Sequence, residues 1–331
     1  MPEEYIYRDR DESNVMGGYP EPYNNLDRGE GDERGGYPEP STGSVSRFFL
    51  AVFILLVFLG GIAQALHFEW GMLFTQWVVI LLPALWYWKR YGFSQRGLHR
   101  LRPLERKYIP TILLLGISAW ILNMLVALSL VRFLVSFGYD PIAVLPPPVN
   151  LLHLAVFLLV IAFSAGVCEE IFFRGAIMPA LEKQGVVPAL VFSSFLFAIM
   201  HVSFTNLPGT FFLGLLFGVT VIKSGSLLAG MALHMLNNAV AVVFLYMSTL
   251  MDLETAINSI DGFPYLALFL VSLAGVRAGL IRLQRQSGAE PLLRGRKSWL
   301  PRGWFNWAFV LSFLLFFILA FLEIFLGFNL V

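Results

Sequence analysis

Seven polar or ionisable side chains, Glu169, Glu170, Arg174, His201, His234, Asn237 and Asn238, sit in stretches that are otherwise apolar enough to cross a bilayer. A charge at bilayer depth costs at least about 2.5–3.5 kcal/mol, so such residues are functional candidates by default. A glutamate beside a histidine can take a proton from water. A second histidine and an amide can donate hydrogen bonds to the oxyanion of a tetrahedral intermediate. These are the parts for hydrolysing an amide bond with water as the nucleophile. Glu169, His201 and His234 alternatively make a first shell for catalytic zinc, with water in the fourth place. The chain has no HExxH sequence, so that alternative needs three separate helices to converge.

Helical spacing sorts the group. Glu170 and Arg174 are four residues apart on one helical face, with the acid on the N-terminal side, the favourable order for an ion pair. Glu169 lies about 100° round the helix from Glu170 and has no partner close in sequence. His234 and Asn238 are also four apart and project toward one point between helices. Counted at about 1.5 Å per residue from helix ends near Pro179, Pro188 and Ser226, Glu169, His201 and His234 lie roughly 12–20 Å deep. Similar depth on three helices is expected of a single buried site.

The elements that carry these residues are membrane spans. The chain has 331 residues, 57% hydrophobic and only 14% charged; soluble domains run at about 45–50% and 25%. Apolar runs near 47–67, 70–88, 109–137, 150–178, 187–203, 208–223, 226–248, 262–282 and 304–330 predict an all-α, polytopic transmembrane bundle of eight or nine spans. The sixth, short and interrupted by glycine, is the least span-like of them. Residues 1–45 carry 11 acidic and 4 basic side chains and repeat GGYPEP at 17–22 and 35–40, a composition that predicts a disordered acidic tail. The remaining 286 residues carry 19 basic and 11 acidic side chains. Their basic residues concentrate in the loops 89–107 and 282–303. An even number of crossings separates these loops, so the positive-inside rule places both, with the N-terminus, in the cytoplasm.

Three further spacings occur in order on successive apolar segments: EExxxR in EEIFFR, FxxxH in FAIMH and HxxxN in HMLNN, the last inside KSGSLLAGMALHMLNN. Together they resemble the CPBP family, which comprises type II CAAX prenyl endopeptidases and the bacteriocin-processing or immunity proteins similar to them. The resemblance covers about residues 109–282. It implies a helical bundle around a cytosol-facing cavity. It also implies that Glu169 and His201 activate water, that His234 and Asn238 stabilise the oxyanion, and that Glu170 and Arg174 support them or touch substrate. The family has been described both as metalloproteases and as metal-free glutamate proteases. A single unpaired carboxylate and an amide donor account for every residue, which favours the second description and no cofactor, with zinc as the alternative.

The expected organisation is thus a cytoplasmic tail at 1–45, two spans and a basic loop at 46–108, a protease core at 109–282, and a basic loop with a last span at 283–331. Membrane lipid and a protein or peptide substrate, prenylated in the eukaryotic members, are the expected partners, and a nucleic acid is not. Three other readings compete: a non-catalytic immunity or binding protein, a proton-coupled transporter and a purely structural polar network. A transporter predicts an internal repeat, and the chain has none beyond the tail hexapeptide. Cys168 adjoins Glu169 but points about 100° away from it and reads as a small buried hydrophobe. Arg132 and Arg277 lie near span ends, where long side chains reach the interface, and His153 reads as an interfacial packing residue. Glu323, alone in the last span, has no role that the sequence suggests.

Overall fold

A computed structural model of the chain describes residues 37–93, 100–141, 145–251, 259–289, 292 and 298–329. The disordered-tail expectation falls mostly on residues 1–36, outside the described residues. Among the described residues are nine long apolar helices: α1 Thr42–Leu66, α2 Phe68–Tyr91, α3 Arg106–Val135, α4 Leu151–Gln184, α5 Val186–Met200, α6 Leu207–Ser224, α7 Leu227–Met251, α8 Gly262–Ser287 and α9 Trp307–Phe328. All but α5 are long and apolar enough to cross a membrane, which makes this an integral, multi-pass membrane protein. The doubtful span is therefore the fifth, at 15 residues, and not the Gly-interrupted sixth, whose 18 residues suffice.

Local chemistry sets the ends. Ser41 and Ser44 form a reciprocal capping box at the start of α1. Asn150 caps α4 by accepting from the His153 amide at 2.8 Å. Gly225, with φ at +66°, makes the left-handed turn that reverses the chain between α6 and α7.

Antiparallel neighbours frame the site. In α5 and α6, Leu190 lies beside Gly218 and Ser194 beside Gly214, so the register falls on one helix as it rises on the other. Such a hairpin returns the chain to the side it left, so the parity of the crossings does not depend on whether α5 spans fully. The α4–α7 pair is antiparallel too, with Gly166 on Met235 and Asn238 on Ile161. A Cβ on Gly166 would stand 2.5 Å from the Met235 side chain, and one on Gly230 would strike Val221. Both glycines let helices close at the level of the polar residues.

The described residues of the two basic loops lie at one end of the bundle. There the Arg102 carbonyl accepts from Ser226 Oγ at 2.7 Å and the Lys107 carbonyl from Gln286 Nε2 at 2.8 Å. The Arg302 carbonyl accepts from Thr42 Oγ1 at 2.7 Å, and Thr42 in turn accepts from Gln184 Nε2. Arg100 pairs with buried Glu182 at 2.7 Å at the same end. At the other end His153 Nε2 meets Glu69 Oε1 at 2.8 Å, and Arg132 Nη2 donates to the Ile260 carbonyl at 3.0 Å.

Candidate active site

The two adjacent glutamates lie on the α-helical turn Ala165–Glu170 of α4, between two π-helical stretches, Leu158–Ser164 and Ile171–Ile177. Wide turns of this kind are uncommon and concentrate at functional sites. Ser164 Oγ donates back to the Leu159 carbonyl at 2.9 Å, spanning the wider turn, and accepts from Trp77 Nε1 at 3.0 Å.

Glu170 is fully buried and joins Arg174 and His234 through one oxygen, while its Oε2, like that of Glu169, has no hydrogen-bond partner. Its Oε1 accepts from Arg174 Nη1 at 2.9 Å and faces His234 Nδ1 at 3.0 Å. The Arg174 guanidinium also donates to the Gly214 carbonyl at 2.7 Å and lies over the Phe197 ring at 4.6 Å, with Phe173 and Phe217 flanking it. Paired to a carboxylate, hydrogen-bonded and boxed by aromatic faces, a buried cation is tolerable. The i, i+4 pair thus has a third member, His234, from a helix 64 residues away.

Phe197, the first residue of FxxxH, is more than a spacer. Its ring lies 4.7 Å from His201 and 5.7 Å from His234 between centroids. His234 stacks on Phe217 at 4.6 Å and 19°. His201 closes α5 as its C-cap, with Nδ1 2.8 Å from the Phe197 carbonyl. Nδ1–H donated to that carbonyl leaves Nε2 as the proton-accepting atom of a neutral ring.

Glu169 faces a different helix from Glu170. Its Oε1 accepts from Gln76 Nε2 of α2 at 2.8 Å, and its Oε2 is buried with no hydrogen-bond partner. Gln76 lies in a π-helical stretch of α2, Thr75–Leu81, and is itself buried. It is a site residue that sequence reasoning misses, because only contact between α2 and α4 reveals it. Among the described residues Glu169 makes no direct hydrogen bond to His201.

Asn238 Nδ2 donates to the Ile161 carbonyl at 3.0 Å, and Asn238 Oδ1 accepts from Asn237 Nδ2 at 3.2 Å. Held at both atoms, the amide keeps one N–H to spare. Cys168 is buried among apolar side chains. Among the described residues no three His, Cys, Asp or Glu side chains are grouped so that they could hold a metal ion.

Residues 151–240 match the family described as Type II CAAX prenyl endopeptidase Rce1-like. That segment runs from α4 into α7 and contains Glu169, Glu170, Arg174, His201, His234 and Asn238, while Gln76 lies outside it. It is shorter than the 109–282 covered by the resemblance in sequence. The match supports a membrane peptidase at the level of the family. No curated protein and no solved structure matches the chain.

Proposed function

We propose that the chain is an intramembrane endopeptidase that hydrolyses a peptide bond with water activated by Glu169 and His201. The observation that carries the reading is that Glu169, inside the family-matched segment, is a buried carboxylate bonded among the described residues only to a neutral amide, with Oε2 left bare. A buried carboxylate oxygen with no donor costs stability, and a bound water or substrate proton relieves that cost. Gln76 holds the other oxygen and so sets which way Oε2 faces.

In this mechanism Glu169 takes the proton of a water aligned by His201 Nε2, and the hydroxide attacks the scissile carbonyl carbon. The oxyanion receives hydrogen bonds from the spare Nδ2–H of Asn238 and from Nε2 of His234. With Nδ1 against Glu170, His234 donates through Nε2 only when both ring nitrogens carry protons, a form favoured by the carboxylate it shares with Arg174. The proton held by Glu169 passes to the leaving amine as the C–N bond breaks. Glu170 and Arg174 orient His234 and take no proton themselves.

The excess of Lys and Arg at one end of the bundle supports a cytoplasmic assignment for that end, with the N-terminus there and the site in the cytoplasmic half. A membrane-resident protein or lipid-modified peptide suits a site set among apolar helices, where Glu169 is buried and His201 exposed. The test is cleavage, by purified protein in liposomes, of a farnesylated peptide ending in a CaaX sequence and of an unprenylated control, followed by mass spectrometry. Wild-type activity in Glu169→Gln would overturn the mechanism. Activity lost to a chelator and restored by zinc would replace it with the metal-dependent one.

A further inference from the structure

We infer that Glu323 of α9 is a positioning residue for His201, acting through the turn that joins α5 to α6. The inference rests on the catalytic role proposed for His201. Glu323 lies outside the segment that matches the family.

At about 1.5 Å per residue α5 is roughly 22 Å long and α9 roughly 33 Å, so the α5–α6 turn ends short of the far end of α9, level with Glu323. The carboxylate takes hold of three consecutive residues there. Oε1 accepts from Ser203 Oγ at 2.9 Å and Thr205 Oγ1 at 3.0 Å, and Oε2 accepts from the Phe204 amide at 2.6 Å. Ser203 Oγ then accepts from the Asn206 amide at 3.3 Å and from Asn206 Nδ2 at 3.1 Å, which carries the hold to the first turn of α6. A carboxylate inside a span persists where it is paired in this way.

The turn needs holding. Val202, directly after His201, has φ at +52°. A β-branched residue in the left-handed region is strained and persists only where its surroundings over-determine it. Helices that leave by this route commonly place glycine at that position. Here valine occupies it, and the three hydrogen bonds to Glu323 fix the residues that follow. The anchor is itself fixed. Asn306, just before α9, donates to Ser46 Oγ at 3.0 Å; Phe309 packs on Phe192; and the Gly327 carbonyl accepts from the Asp140 amide at 2.9 Å. The last helix is thereby a rigid staple whose carboxylate determines where α5 ends and where the His201 ring stands over Phe197.

Two measurements on the full-length protein in liposomes test this. One is the rate at which diethyl pyrocarbonate modifies His201, read by mass spectrometry; the other is kcat and KM on the farnesylated peptide. Glu323→Ala is expected to change the modification rate by at least about threefold and to lower kcat at least about tenfold, with KM within about twofold. Glu323→Gln, which keeps an acceptor oxygen, is expected to fall between, and it decides the matter if the alanine variant does not fold. Adding Val202→Gly to Glu323→Ala is expected to recover most of both, because glycine adopts the turn without strain. Wild-type behaviour of both Glu323 variants overturns the inference. So does a fall in kcat with His201 reactivity unchanged, or a loss that Val202→Gly leaves unrepaired. If the wild-type protein leaves the peptide intact while His201→Ala and Glu169→Gln behave identically to it, the catalytic reading fails, and the modification rates alone decide the clamp.

Discussion

Glu169 and Glu170 are neighbours in sequence and opposites in surroundings. Glu170 sits between an arginine and a histidine, behind a ring of phenylalanines, and Gly230 leaves just enough room for its second oxygen. Each has a second oxygen without a hydrogen-bond partner, but the bonded oxygen of Glu169 has one neutral donor, Gln76. The first arrangement compensates a buried charge and stabilises helix contacts. The second leaves a buried carboxylate with no cationic partner among the described residues, a local conflict that proteins tolerate where function uses it. The difference arises from one helical step, which turns one carboxylate toward α7 and the other toward α2.

That contrast can be broken most directly at Glu169. Glu169→Gln keeps shape and the Gln76 contact, and is expected to lower kcat by about 10²–10⁴ while the melting temperature in detergent stays near wild type. The complementary change, Arg174→Ala, is expected to destabilise the protein by about 3–5 kcal/mol, seen in thermal melts, because it strands Glu170 in the interior. If Arg174→Ala melts like wild type, the network of Arg174, Glu170 and His234 is not structural. Gly166→Val tests the helix approach that brings the two halves together. It pushes side-chain atoms into Met235 and is expected to cost about 1–3 kcal/mol in the same melts. Gln76→Leu sharpens the comparison by removing the single donor of Glu169. A kcat loss of about tenfold with little change in KM is expected, since the carboxylate is then free to turn. The smallest effect is expected at the exposed end pair Lys183–Glu39, at 2.9 Å, where Lys183→Ala should alter stability by less than about 1 kcal/mol.

Much of the fold is legible in the order of the residues alone. Nine apolar runs predict nine helices whose ends fall within about six residues of those found, because length and hydropathy are local properties that a bilayer reads directly. The Glu170–Arg174 pair is legible for the same reason: its spacing of four is a property of one helix. The start of α1 at Thr42, inside the stretch that reads as tail, is harder to see because its capping residues are polar serines ahead of the apolar run. His153, which reads as an interfacial packing residue, is held by Glu69 and packs edge-on to Phe157. Arg132, near a span end, reaches a carbonyl across the adjoining turn.

Glu323 marks the boundary of such reading. In sequence it is a lone carboxylate in a greasy helix, and nothing within a turn of it explains its presence. In the fold it closes three hydrogen bonds to residues about 120 positions away. Gln76, 93 residues from Glu169, is the same case.

By itself the sequence determined that this is a bundle of apolar helices, that its basic residues gather toward one end, and that EExxxR, FxxxH and HxxxN ride on three of the helices. These follow from hydropathy, charge count and the helical repeat, which need no knowledge of neighbours. Only the tertiary structure decided which partner each polar side chain takes: His234 for Glu170, Gln76 for Glu169, and the Ser203–Thr205 turn for Glu323. The physical reason is that hydrogen bonds reach about 3 Å and depend on which helix faces which. Helix pairing is set by packing over the whole bundle, by contacts such as those at Gly166 and Gly230, and no local pattern of residues encodes it.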